Sequence, residues 1–247
     1  MASPTTEPLL ATVELHKQFP SVRALAGVSL EFRAGEVHGI VGENGAGKST
    51  LVKILSGVYQ PTAGHLTHRG RPVRITSPAA AIALGIAMIH QELNLIDELS
   101  VADNIFLGRE QLRRGLRLVD ERRTLAAARD LLSSFDCAID PRTLVKRLSI
   151  AEKQLVEIAK ALSCNASLLI MDEPTAVLTT KEVKLPVRAD PAIMCERRGD
   201  RAHLVLPARG PEICDRVTVM RDGRQVATPS RATRWDATLP ASSSSRA

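Results

Sequence analysis

"GENGAGKST", Gly42 to Thr50, decides how the rest of the chain is read. It fits G-x-x-x-x-G-K-[ST] through Gly42, Gly47, Lys48 and Ser49. Glycines at these places let backbone N–H groups approach phosphate oxygens, and the N-terminus of the next helix adds its positive dipole end. Lys48 then reaches the β- and γ-phosphates, and the Ser49 hydroxyl reaches Mg²⁺. Glu43, Asn44, Gly45 and Ala46 form the loop between the anchors, and Thr50 follows on the helix. Such a pattern can also arise in any glycine-rich turn, so its flanks matter. "VHGIV" (37–41) is a short apolar strand running in, and "STLVKILSGV" (49–58) has helical spacing running out. That is the context the motif requires.

Outward from the loop, "LLATVELHKQF" (9–19) and "ALAGVSLEFRAGEV" (24–37) alternate apolar and polar residues as half-exposed strands do, with Gly27 and Gly35 expected at turns. "GHLTHRGRPVRI" (64–75) offers further short strands, "SPAAAIALG" (77–85) a helix and "IAMIH" (86–90) a buried strand. From "LSVADNIFLG" to "LLSSFDC" the pattern is mainly helical and strongly charged. "LSIAEKQLVEIAKALS" (148–163) reads as an amphipathic helix and "ASLLIMDEPT" (166–175) as a buried strand ending in acids. Strands alternating with helices predict an α/β fold, a mostly parallel sheet core carrying a helical insertion. No internal repeat is visible, and the tail "LPASSSSRA" is of low complexity.

Composition removes several functions. The longest apolar run, Ala79 to Ile89, is too short to span a bilayer, and "MASPTTEPLL" lacks the basic flank and long apolar run of a signal peptide. Cys137, Cys164, Cys195 and Cys214 show no CxxC spacing, so neither a disulfide framework nor a zinc site is indicated. The net charge of +6 could suggest nucleic acid, but residues 185–210 carry +2 of it and 224–247 carry +3. One Trp, one Tyr and four Phe provide little surface for stacking bases, so no nucleic-acid partner is expected.

"LLIMDEPT" supplies a second half for a phosphoryl-transfer site, with Asp172 directed at the metal and Glu173 at an attacking water. "LSIAEKQ" supports two readings. Ser149 and Glu152 have the S-x-x-E spacing of a capping box, and a serine at a helix N-terminus is also placed to bind an anion.

Together with "GENGAGKSTLVKILSGVYQPTAG", "IAMIHQELNL", "NIFLGRE", "VEIAKALS" and "LLIMDEPTAVLT", these residues resemble the ATP-binding cassette family. The likeness covers most of residues 8–184 plus "EICDRVTVMRDGR", and is strongest to the ATPase subunits of simple-sugar importers of the ribose, galactose, xylose and arabinose type. "LSIAEKQ" looks like a variant of the family's LSGGQ signature. The resemblance implies a P-loop cassette with an antiparallel β subdomain. The nucleotide-binding domain would span 1–230, its helical subdomain about 96–148, with a low-complexity tail over 231–247.

The resemblance further implies ATP and Mg²⁺ as ligands, with Ser49, Gln91 and Asp172 at the metal and Glu173 and Gln91 catalytic. Phe19 matches the aromatic that stacks on adenine, and Ser149 the serine that contacts the γ-phosphate held by an opposite cassette. The implied partners are a second cassette, membrane permease subunits and, indirectly, a sugar-binding protein, with the chain peripheral to the cytoplasmic face of the membrane. Relatives usually carry two cassettes in one chain; this sequence resembles the N-terminal copy. A soluble cassette acting on ribosomes or nucleic acid and a defective cassette with little turnover are the competing readings.

Departures from the family are specific. Ile150 and Ala151 stand at two signature glycines, and "TAVLT" lacks the usual aspartate. After "KEV" the family continues with a helix, a glycine, a buried strand and a switch histidine. Here "LPVRADPAIMCERRGDRAHL" (185–204) holds Pro186, Pro191 and the charges Arg197, Arg198, Asp200 and Arg201. Irregular structure without a buried strand is expected there. His203 is expected to be a lone surface histidine and ATP hydrolysis to be weak. Permitted codons read one nucleotide later give "LFALIRRLCASGVAIVHIS", a helix–glycine–strand order, which points to a displaced reading frame within 185–210.

Overall fold

The computed structural model describes residues 7–89, 94–113, 118–134, 137–164, 166–171, 202–205 and 214–228. Eleven strands form two sheets among the described residues. The first sheet is antiparallel. Its strands are β1 (Leu10–Gln18), β2 (Arg23–Val28), β3 (Glu31–Phe32), β5 (Ala63–His68) and β6 (Arg71–Val73), ordered β2-β1-β5-β6 with β3 also on β1. The second has six strands ordered β11-β10-β4-β9-β8-β7: β4 (Val37–Gly42), β7 (Ile86–Ile89), β8 (Leu168–Met171), β9 (Ala202–Val205), β10 (Arg216–Arg221) and β11 (Arg224–Ala227). All its neighbours pair in parallel except the β10–β11 hairpin.

Covering both faces of the parallel sheet explains its apolar strands. In β8, Leu168 and Ile170 join the core shared with the antiparallel sheet and helix α1 (Lys48–Leu55), where Phe32, Ile40 and Leu51 also lie. Leu169 and Met171 point the other way, into a core formed with α3 (Val101–Ile105), α4 (Glu121–Ser133) and α5 (Ile150–Leu162). Helix starts follow the sequence. Ser77 caps α2 (Pro78–Ala83), Ser100 caps α3 and Asp120 caps α4, each accepting a backbone N–H. Asn104, fully buried, is satisfied by Ile96 N–H and the carbonyls of Ile96 and Ser100.

Two expectations are corrected. Gly27 is not at a turn. It lies inside β2 with φ +84°, where the register against β1 skips between Val28 and Ala26, so it is a bulge residue. The expectation of no buried strand in 185–204 fails from Ala202 onward. Ala202–Val205 forms β9, paired with Val37–Gly39 on one side and Leu168–Met171 on the other. The opposed charges, Arg197 to Arg201, all precede it. Strands β4 and β8 present facing ladder edges, and "AHLV" fills both. His203 therefore lies in a central strand at the backbone level. Residues 185–201 lie outside the described residues.

A polar network is buried between β4 and β10. His38 is 1% exposed; its Nε2 is 2.8 Å from Thr218 Oγ1 and its Nδ1 3.3 Å from an Arg216 nitrogen. A guanidinium only donates, so Nδ1 accepts and the ring proton sits on Nε2, donating to Thr218. Thr218 in turn meets Thr228 at 3.0 Å, and Arg216 pairs with Glu36 at 2.5 Å. Burial, and then the charge of Arg216, lower the His38 pKa from 6.5 to about 4. The unfolded chain takes up this proton below pH 6.5 while the folded one resists until about pH 4. Stability from this group is thus complete above 6.5, falls as pH drops and is flat below 4. Chemical denaturation across pH 7 to 4 should show a loss of about 3 kcal/mol in the wild type that is missing from the slope of His38→Gln. Equal slopes in the two proteins would show that His38 is not buried as a neutral ring.

Candidate nucleotide-binding site

Parallel strands end on the same edge of a sheet, so the chain leaving β4 opens at the C-terminal edge where α/β sheets bind ligands. Gly42 ends β4, and Gly47, at φ +99°, is the N-cap residue of α1. No side chain caps that helix and its first turn has no acid. Its leading N–H groups and positive dipole end therefore remain available to an anion.

The loop is tightened by its own lysine. Lys48 Nζ donates to the carbonyls of Gly42 at 2.7 Å and Glu43 at 3.0 Å, and Glu43 O also accepts Ala46 N–H at 3.1 Å. An ammonium has three donors, so one remains for a ligand. Glycine is required at two points by close approach. A Cβ on Gly42 would run into the Met220 carbonyl oxygen, and one on Gly47 would stand 2.5 Å from Ala24 O.

A cavity of about 340 Å³ lies over this loop, lined by Asn44, Gly45, Ala46, Gly47, Lys48, Ser49 and Thr50 together with Phe19, Val22 and Ala24. Phe19 thus meets the phosphate loop in one pocket, although 23 positions separate it from Gly42 in sequence. Its ring is half-buried at the end of β1, edge-on to Tyr59 with centroids 5.5 Å apart, and Lys17 Nζ stands 5.2 Å from its centroid. Phe19 and Val22 close the β1–β2 turn through mutual backbone hydrogen bonds, which fixes the turn from which both line the pocket. Gly42 and Glu43 shape the loop through their carbonyls.

Ser149 does not line this pocket. It begins α5 as a complete capping box: its Oγ accepts Glu152 N–H, while Glu152 Oε2 accepts Ser149 N–H at 2.8 Å and its hydroxyl at 2.7 Å. The Ser149 hydroxyl, then its backbone N–H, hold the Glu152 carboxyl below its ordinary pKa. Gln91, Asp172 and Glu173 lie outside the described residues. Strands β7 and β8, which precede them, end side by side, Ile89 opposite Met171.

Sequence reasoning missed the walls of the pocket. Val22 and Ala24 carry no motif, and Gly223, in the β10–β11 turn, donates its N–H to Ala46 O at 3.2 Å. "DG" between alternating segments signals a hairpin, but nothing in it signals contact with the loop.

Comparison with known proteins agrees with this geometry. The chain is 50% identical over 228 residues to a putative ribose/galactose/methyl galactoside import ATP-binding protein of Burkholderia cenocepacia, covering 91% of this chain and 44% of that protein. It is 48% identical to the arabinose import ATP-binding protein AraG of Azospirillum brasilense, covering 95% of this chain and 45% of that one. The chain spans a little under half the length of these curated relatives. Its fold matches a nucleotide-free ATP-binding cassette from an ABC transporter with a TM-score of 0.75 at 23% identity, over 90% of this chain and 91% of that one. It also matches the dimeric post-hydrolysis state of the cassette MJ0796 bound to ADP and Pi, with a TM-score of 0.72 at 21% identity, over 90% of this chain and 98% of that one. The ABC transporter family model matches residues 25–176, which run from the pocket wall of β2 through the phosphate loop and α5 to just past β8. The chain belongs to the ABC transporter family.

Proposed function

We propose that the chain is the ATP-binding unit of a simple-sugar importer, coupling ATP binding and hydrolysis to sugar uptake through a membrane permease. The observation that carries the nucleotide part is the single pocket holding Phe19 beside residues 44–50. An aromatic ring for a base and a phosphate cradle thereby line one cavity. The sugar class is supported by identity of about half the residues to proteins named as ribose/galactose/methyl galactoside and arabinose import ATP-binding proteins.

In this reading Phe19 stacks on adenine, the N–H groups of residues 45–50 surround the phosphates, and the remaining Lys48 donor meets the β/γ oxygens. Ser49 lines the pocket, and its hydroxyl suits Mg²⁺, an oxygen-seeking cation, with Asp172 and Gln91 as the other protein contacts. When bound, Mg²⁺ offsets the charge on the phosphate oxygens. Glu173 orients and deprotonates the attacking water. Ser149 reaches the γ-phosphate of a second cassette, so the working unit is a pair. The partners are permease subunits and, through them, a sugar-binding protein, and the chain is peripheral to the cytoplasmic face of the membrane. No helix among the described residues is long and apolar enough to cross a membrane.

Lys48→Ala should raise the dissociation constant for MgATP by about a hundredfold, because the charge over the β/γ-phosphates is lost. Calorimetric titration giving wild-type affinity would remove the phosphate-loop assignment. Glu173→Gln should keep MgATP while lowering turnover about a hundredfold or more, since an amide cannot take the proton from water. Phosphate release is to be measured with the permease and a partner cassette present; a variant as fast as wild type would refute the role of Glu173. Absence of turnover in the wild type under these conditions would leave a cassette that binds without hydrolysing.

A further inference from the structure

We propose that Gly223, in the turn of the β10–β11 hairpin, is a positioning residue that sets the orientation of the Ala46–Gly47 peptide in the phosphate loop. The proposal rests on the nucleotide reading above. Gly223 N–H donates to Ala46 O at 3.2 Å, and Gly223 O accepts Ala26 N–H from β2 at 2.8 Å. One residue therefore ties the loop to the strand that forms the pocket wall.

The consequence follows from peptide geometry. In a trans peptide the carbonyl and the N–H point in opposite directions, and no described peptide is cis. Holding Ala46 O toward the hairpin turns Gly47 N–H away from it, toward the pocket that Ala46, Gly47 and Lys48 line. Gly47 N–H has no acceptor among the described residues. With this peptide reversed, a carbonyl oxygen would face the phosphates where a donor is needed.

Only a glycine can stand there. Gly223 has φ +72°, and a Cβ would lie 2.7 Å from Ala24 O and 3.2 Å from Leu25 Cα. Gly47 approaches the same Ala24 carbonyl, and its Cβ would lie 3.5 Å from Gly223 Cα, so two glycines meet by their backbones. The molecule contains its own comparison. The β5–β6 hairpin turns through Arg69 and Gly70 at φ +48° and +70°, matching Asp222 and Gly223 at +50° and +72°. At Gly70 the atoms nearest to a Cβ would be those at the end of the Glu7 side chain. The two turns share the backbone demand for glycine, and only one touches the phosphate loop.

Gly223→Ala and Gly70→Ala are to be compared by titration with MgATP and with adenosine. Gly223→Ala should weaken MgATP binding about tenfold or more and leave adenosine within about twofold, while Gly70→Ala leaves both within about twofold. Wild-type MgATP affinity in Gly223→Ala, equal losses in the two variants, or parallel loss of adenosine would overturn the proposal. Should Gly223→Ala not fold, amide exchange at Gly223 in the wild type decides the matter. Saturation with MgATP should slow it about fivefold or more, because coupling between loop and clamp is reciprocal; an unchanged rate would refute it. Wild-type MgATP affinity in Lys48→Ala defeats the nucleotide reading itself, whereas weak binding there with normal binding in Gly223→Ala defeats only the clamp.

Discussion

The phosphate loop is held no more firmly than strand β4, and β4 is held on both edges. On one side His38 to Gly42 pair with Leu-free β10 from Arg216 to Met220; on the other, Val37 to Gly39 pair with β9. Both pairings are parallel and involve sequence distant from β4, so neither can form as a local hairpin. The loop's glycines depend on this frame. Gly42 abuts the Met220 carbonyl, and Gly39 abuts Cys214, whose Sγ would lie 2.7 Å from a Cβ there. A loop that presents N–H groups to an anion must itself be fixed, since a mobile one would first have to be ordered by its ligand.

The same strand pair carries charge and polarity where an apolar core would be simpler. His38, Thr218 and Arg216 form a directed set of hydrogen bonds within the sheet, closed by Glu36 at one end and Thr228 at the other. Each buried group is satisfied, which is the condition under which such a network avoids a desolvation penalty. The donors also fix which residues face each other across β4 and β10. Cys214, beside this network, is pushed up to about 11 by burial and then by Asp215, so its thiol stays protonated and packs as a small apolar group.

Ser149 meets one structural requirement outright, the start of α5. A serine beginning a helix three residues before a glutamate is explained by α5 alone, and its hydroxyl and backbone N–H are both committed to Glu152. The anion-binding role needs the same residue at the same helix end. Phe19 differs in this respect. Its place on the wall of the cavity that Lys48 also lines is information that no short segment of the chain carries.

Sequence by itself determined what short-range physics controls: the glycines and lysine of residues 42–50, the helix caps at Ser77, Ser100 and Ser149, and the apolar strands β4, β7 and β8. These features repeat at fixed spacing or sit beside their partners, so a pattern reveals them. Tertiary structure alone decided which strand fills the gap between β4 and β8, because a four-residue segment following a run of charges has no periodicity to announce it. It also decided that Gly27 is a bulge, since a positive φ inside a strand and one at a turn make the same demand for glycine. The meeting of Phe19, Ala46 and Gly223 around one loop was likewise invisible in the chain. Phe19 follows β1 of the antiparallel sheet, whereas Ala46 and Gly223 follow β4 and β10 of the parallel one, so only the packing of one sheet against the other brings them together.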